Sequence, residues 1–130
     1  MDKQTELIDA AIRVRHNAYS PYSGLSVGAA VLTDKGIFTG CNVENASYGL
    51  AMCAERVAVF NAVAAGAKQI QAVAIAGGTD APLPPCGACR QVLAEFNPNM
   101  TCILIGKNGE VNEISLAQLL PLPFLSEHLG

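Results

Sequence analysis

Three cysteines and a glutamate are spaced so that they could share a metal ion and act on water. They fall in two stretches, Cys53-Ala54-Glu55-Arg56 and Pro85-Cys86-Gly87-Ala88-Cys89. Thiolates are strong zinc ligands, and a structural zinc normally closes with four protein ligands. The pattern offers three sulfurs, which leaves one position for water. Zinc lowers the pKa of a water held there and makes hydroxide accessible near neutral pH. Such a site also needs a group that carries protons, and Glu55, beside the first sulfur, is the candidate. The chemistry specified is attack by water, assisted by zinc.

That chemistry constrains the elements carrying it. Cys86 and Cys89 are three apart, so at the opening of a helix both sulfurs fall on one side. Pro85 suits such an opening, where its missing N–H costs nothing. Cys53 and Glu55 are two apart and would diverge in a helix interior. They converge only if Cys53 stands at a helix entrance, where partial positive charge also favours thiolate.

Around these two entrances the chain reads as α-β-β-α-β-α-β-β-α. A first helix follows from Leu7, Ile8, Ala11, Ile12, Arg15, Ala18 and Tyr19 at helical spacing, and stops at Ser20-Pro21. Strands are expected over 26–32 and 37–43, joined by the turn Thr33-Asp34-Lys35-Gly36. A second helix runs from Cys53 to Ala65, with Val57, Phe60 and Val63 as its core side and Gly66 as its stop. Then come a buried strand at 72–76, a helix at 86–96 and a buried strand at 101–105. Asn108-Gly109 turns into a strand at 110–114, and Ser115 with Gln118 forms a capping box that opens a short last helix. Parallel crossovers combined with hairpins predict an α/β fold. Its form is a three-layer α/β/α arrangement around a mixed five-stranded sheet, with both metal-bearing helices entering at one edge.

Cys53-x-Glu55 and Pro85-Cys86-x-x-Cys89 resemble the signature of the zinc nucleobase and nucleoside deaminases in order and type. Cys53-Ala54-Glu55-Arg56 and the longer run from Pro85 to Arg90-Gln91 are similar to cytidine deaminases of the small, homotetrameric kind. So are Tyr19-Ser20-Pro21-Tyr22-Ser23 and Gly40-Cys41-Asn42-Val43-Glu44-Asn45-Ala46. The resemblance implies hydrolytic deamination of cytidine and deoxycytidine to uridine and deoxyuridine, with release of ammonia, in pyrimidine salvage. It implies one zinc per subunit on Cys53, Cys86 and Cys89, with Glu55 moving protons. Asn42 and Glu44 match residues that bind ribose hydroxyls, and Leu25, Ala54, Tyr48 and Phe124 match other substrate contacts. Arg56 matches an arginine that offsets the negative charge of a three-thiolate zinc, and Gln91 belongs to the supporting motif. A homotetramer whose sites are completed by neighbouring subunits is also implied.

Two positions depart from the family. Many relatives carry phenylalanine where this chain has Leu25, and leucine gives up aromatic geometry worth about 1 kcal/mol. Leu122-Pro123 replaces the small residues that often precede the phenylalanine at Phe124. Two other readings stand beside the main one. The same centre could act on another aminopyrimidine such as blasticidin S, although Asn42 and Glu44 favour a ribosyl substrate. A non-catalytic zinc-binding interaction module would need a fourth protein ligand from Cys41, Cys102 or a histidine. Cys41 and Cys102 lie in apolar strands and read as small core hydrophobes, and neither His16 nor His128 has ligand spacing.

Composition narrows the class further. The 130 residues suffice for one domain, spanning 1–130, with a single core. Hydrophobic residues make up 51% and charged residues 15%, which favours burial of surface between subunits. A net charge of −3 with only eight Lys and Arg, scattered along the chain, predicts no nucleic-acid footprint and favours a small-molecule nucleoside. The polar opening Met1-Asp2-Lys3-Gln4-Thr5-Glu6 predicts no secretory leader, and no apolar run is long enough for a membrane span. An odd count of five cysteines with a Cys-x-x-Cys predicts metal rather than disulfides, hence a reducing cytoplasm.

Overall fold

A computed structural model describes residues 2–130. Strands β1 (Gly28–Thr33), β2 (Gly36–Cys41), β3 (Ile70–Ala76), β4 (Thr101–Ile105) and β5 (Val111–Ser115) form a sheet in the order β2-β1-β3-β4-β5. β3 and β4 pair in parallel, and the remaining neighbours are antiparallel. The period of two sends alternate side chains to opposite faces. Val31, Val73, Ile75, Cys102 and Leu104 pack into one apolar layer, and Ala30, Ala74, Ala76, Ile103 and Ile105 into the other.

Helix α1 (Lys3–Val14) covers the second layer through Leu7 and Ala11. Helices α2 (Ala54–Ala64), α3 (Gly87–Phe96) and the short α4 (Leu116–Leu119) cover the first, through Ala58, Val59, Leu93 and Leu116. The expected three layers and mixed five-stranded sheet are therefore present.

Glycines on the sheet decide how closely the helices approach. A Cβ on Gly40 would stand 2.3 Å from Ala58 N and 2.7 Å from Ala54 O, so α2 lies directly on the backbone of β2. On the opposite face, a Cβ on Gly28 would meet Ala11 O at 2.1 Å.

Several elements differ from the expectation, each for a physical reason. The first helix ends at Val14 with a 3₁₀ turn over Arg15–Asn17, not at Tyr19. Tyr19 instead pairs as extended backbone, its N–H donating to Asn42 O (3.0 Å) and its carbonyl accepting from Glu44 N (2.8 Å). β2 stops at Cys41, and Val43 makes isolated bridges to Tyr19 and Met52. The face of α2 assigned to the core is the outer one: Phe60 is 48% and Val63 45% exposed, whereas Ala54, Glu55, Ala58, Val59 and Ala62 are buried. Ala54 and Ala58 lie against Gly40, where the helix backbone comes too close for a larger neighbour. Cys41, on the edge strand, is half-buried, whereas Cys102 is buried in the core. Ser115 does cap α4 by accepting from Ala117 N, but among the described residues Gln118 makes no reciprocal bond.

Candidate active site

Cys53 is the N-cap of α2 and Cys86 the N-cap of α3, both in extended backbone. Cys89 lies in the first turn of α3 and is buried. The two helix entrances meet. Cys53 Sγ lies 3.7 Å from Cys86 Sγ, Cys86 Sγ lies 3.4 Å from Cys89 Sγ, and all three sulfurs fall within 4.8 Å of one another. A tetrahedral zinc with Zn–S bonds of about 2.3 Å sets sulfur–sulfur edges of about 3.8 Å. The trio therefore fits that ion. Among the described residues no fourth Cys, His, Asp or Glu joins the cluster, and Cys41 and Cys102 stand apart from it.

The surroundings favour negative charge at the Cys53 sulfur. The Cys53 thiol is drawn down to about 5 by hydrogen bonding with Cys89, helped by Arg56 and Cys86. The same bond pushes Cys89 up. Arg56 Nη2 donates to Cys53 Sγ at 3.5 Å, and Arg56 Nε is buried without a partner. The thiolate contact raises the guanidinium pKa above its ordinary value.

Glu55 is 5% exposed, and burial pushes its carboxyl up to about 6, with charge on Cys53 acting in the same direction. A carboxyl held there can both accept and release a proton near neutral pH. Its position follows from the helix: with Cys53 as N-cap, Glu55 occupies the first turn and turns inward with Ala54 and Ala58.

Backbone pairing brings Asn42 and Glu44 towards this centre. Val43, between them, exchanges both hydrogen bonds with Met52 (3.0 and 2.9 Å), the residue before Cys53. Glu44 accepts from Tyr22 N (3.0 Å), Ser23 N (3.1 Å) and Ser23 Oγ, and these bonds hold its carboxyl below the ordinary carboxylate value, the Ser23 hydroxyl contributing most. Asn42 accepts from Val27 N and donates to Leu25 O, both at 2.8 Å, so its amide also holds the segment that carries Leu25.

A cavity of about 270 Å³ is lined by Tyr22, Ser23, Glu44, Asn45, Tyr48 and Ala51. Tyr48, 75% exposed, stands 5.8 Å from Tyr22 between ring centroids. Asn42, Leu25, Ala54 and Phe124 do not line this cavity. Leu25 is 37% exposed at the surface, whereas Ala54 is fully enclosed, its carbonyl against Gly40. Phe124 lies on the tail, 57% exposed, its ring 5.6 Å from that of His128. Gln91 pairs with the backbone of Phe124 at both ends of its amide, donating to the carbonyl at 2.6 Å and accepting from the N–H at 3.1 Å. Tyr22 and Ser23 belong to the Tyr19-Ser20-Pro21-Tyr22-Ser23 motif, and the structure adds them to the site beside Glu44. Their proximity to Glu44 is a long-range pairing that local spacing does not encode.

The model of the cytidine and deoxycytidylate deaminase zinc-binding region matches residues 1–110. The chain belongs to this deaminase family. A cytidine deaminase of Halalkalibacterium halodurans is 47% identical over 100% of this chain and 99% of its own. One from Mycobacterium tuberculosis is 49% identical over 88% of this chain and 84% of its own. Among solved structures, the cytidine deaminase from Burkholderia pseudomallei superposes with a TM-score of 0.89 at 48% identity, covering 95% of this chain and 100% of that one. Family membership and the sulfur geometry identify the same metal. The residues that would hold zinc in this deaminase fold are Cys53, Cys86 and Cys89. No helix among the described residues is long and apolar enough to cross a membrane.

Proposed function

We propose that the chain deaminates cytidine and deoxycytidine hydrolytically, giving uridine and deoxyuridine and releasing ammonia. The observation that carries this reading is a cluster of three sulfurs, with no fourth protein ligand among the described residues, beside a buried carboxyl. Bound there, zinc supplies Lewis acidity that activates water for attack at C4 of the base. The protein's own residues do the rest. Glu55 accepts the proton of the attacking water on a carboxylate oxygen and delivers it to ring N3. It then carries the remaining hydroxyl proton to the departing amino group. Burial suits it to this alternation, because the same group must bind and give up a proton in each turnover. Arg56 supplies positive charge to the Cys53 sulfur and offsets the surplus of thiolate charge.

Asn42 and Glu44 receive the ribose hydroxyls in this reading. The support is that Glu44 faces a cavity and is held ionised by the Tyr22-Ser23 turn, ready to accept from a hydroxyl. The cavity of one protomer, about 270 Å³, falls just short of the usual range of about 300–1,000 Å³ for small-molecule sites. In this reading the protein is a homotetramer whose sites are completed by neighbours, and Tyr48 and Phe124 are exposed rings available for that. The role assigned to the whole domain, residues 1–130, is pyrimidine salvage in the cytoplasm. A zinc-only interaction module is disfavoured because no fourth ligand joins the cluster among the described residues.

The test is the ultraviolet band of cytidine on mixing with the zinc-loaded protein. The band decays with wild type and persists with Glu55→Ala. Activity retained by that variant would remove the carboxyl from the mechanism, and a silent wild type would end the deaminase reading.

A further inference from the structure

Arg90 follows Cys89 directly, yet its guanidinium is not among the groups that contact the sulfurs or carry protons. Its backbone N–H donates to Cys86 O at 3.0 Å, and its side-chain Nε donates to Pro85 O at 2.8 Å. The first is the helix bond that any residue here would make; the second belongs to the arginine side chain and holds the carbonyl just before Cys86 N. The third contact leaves the helix: Nη1 donates to Leu119 O at 2.9 Å, at the last residue of α4. The planar, multi-donor fork of a guanidinium is suited to reach carbonyls on two separate segments at once.

What this grip fixes is the direction of Cys86. The residue caps α3 in extended backbone (φ −65°, ψ 167°), its side chain makes no capping bond, and it is the most exposed of the three sulfur ligands. Its side chain is exposed, with the Cys53 and Cys89 sulfurs beside it, whereas Cys89 is buried. Its orientation is set by the peptide plane that precedes it, and that plane is held by fully buried Pro85 on one side and Arg90 Nε on the other. We propose that Arg90 is a positioning residue for the metal ligand Cys86, tying the Pro85–Cys86 peptide to the end of α4. This rests on the reading of Cys53, Cys86 and Cys89 as the zinc site. Residues that orient metal ligands in this way commonly govern metal affinity by 10- to 100-fold.

The experiment follows zinc transfer from the full-length, zinc-loaded protein to a chromogenic chelator, together with thiolate-to-cobalt charge-transfer absorption of the cobalt(II) form. Arg90→Met releases zinc about tenfold faster than wild type and shows a weakened charge-transfer band. Arg90→Lys, able to satisfy one carbonyl at a time, releases it at an intermediate rate and carries the test if the methionine variant does not fold. Ile103→Ala, a core truncation on the α1 face of the sheet, controls for general loss of stability and releases zinc as wild type does. Wild-type release and spectrum in the Arg90 variants overturn the proposal, and so does equally fast release from Ile103→Ala. A wild-type protein that takes up no zinc at all overturns the metal reading beneath it, and is distinguished by metal content before any chelator is added.

Discussion

Glu55 and Arg56 are adjacent in sequence but meet opposite environments, and each environment does chemical work. Burial raises the Glu55 carboxyl towards neutrality, whereas the thiolate contact keeps Arg56 firmly cationic. Three thiolates around a divalent metal leave one net negative charge, which weakens the ion as a Lewis acid. The Arg56 contact to Cys53 withdraws part of it. Arg56→Gln should therefore lower turnover or zinc retention by about 10- to 100-fold, the usual scale for residues that support metal ligands. Parallel measurement of initial rates and of zinc per protomer checks this, and a variant equal to wild type in both would refute the role. At this scale the sequence was informative: Cys53, Glu55, Cys86 and Cys89 are legible from residue type and spacing alone. The bonds of Glu44 to Tyr22 and Ser23, and of Arg90 to Leu119, are not, because their partners lie 21 to 29 residues away.

Among the elements, α2 matters most, since its first turn carries the carboxyl proposed to move protons and its cap the first sulfur. Its placement depends on Gly40, where an added methyl group would collide with helix backbone at 2.3 Å rather than with a side chain that could move aside. Gly40→Ala should lift α2 from β2, costing about 1–3 kcal/mol or more and loosening the metal site. Urea unfolding and zinc content report it, and an unchanged midpoint with full zinc would show that the contact is not needed. The β1–β2 turn has a similar dependence on Asp34, whose Oδ1 accepts from Lys68 N (2.9 Å) and Gln69 N (3.1 Å) at the approach to β3. Those bonds, Gln69 first, hold its carboxyl below the ordinary value. A depressed native pKa stabilises the fold above the unfolded value of about 3.9 and loses that effect as pH falls through the native one. The stability gap between wild type and Asp34→Asn should accordingly stay constant from pH 7 to about 5 and close on further acidification. A gap that widened towards acid would contradict the assignment. The order of elements was readable from periodicity and turn residues, but the end of α1 was not. There, pairing of Tyr19 with Asn42 and Glu44 outweighs the helical spacing that runs through it.

At the scale of the whole molecule, the outer face of α2 leaves apolar side chains uncovered. Phe60 and Val63 project from the outer side of α2, and Tyr48 and Leu50 are more exposed still. With a tetramer proposed, this face should be an interface. Wild type should sediment as a tetramer at micromolar concentration and Phe60→Asp as a smaller species, whereas a monomeric wild type would count against the assembly. The inversion of α2 illustrates how sequence and tertiary structure divide the problem. From order and spacing alone, the chain determined its layers, its mixed sheet and its four chemical residues, because those signals are local and each is carried by residues within one turn or one strand. Which side of α2 faces the sheet was decided only in three dimensions. Helical periodicity marks an apolar stripe without saying what it will meet, and here the closest backbone approach, at Gly40, admits only small side chains. The meeting of two distant helix caps, and the long-range bonds that aim Glu44 and Cys86, likewise exist only once the sheet has brought those segments together.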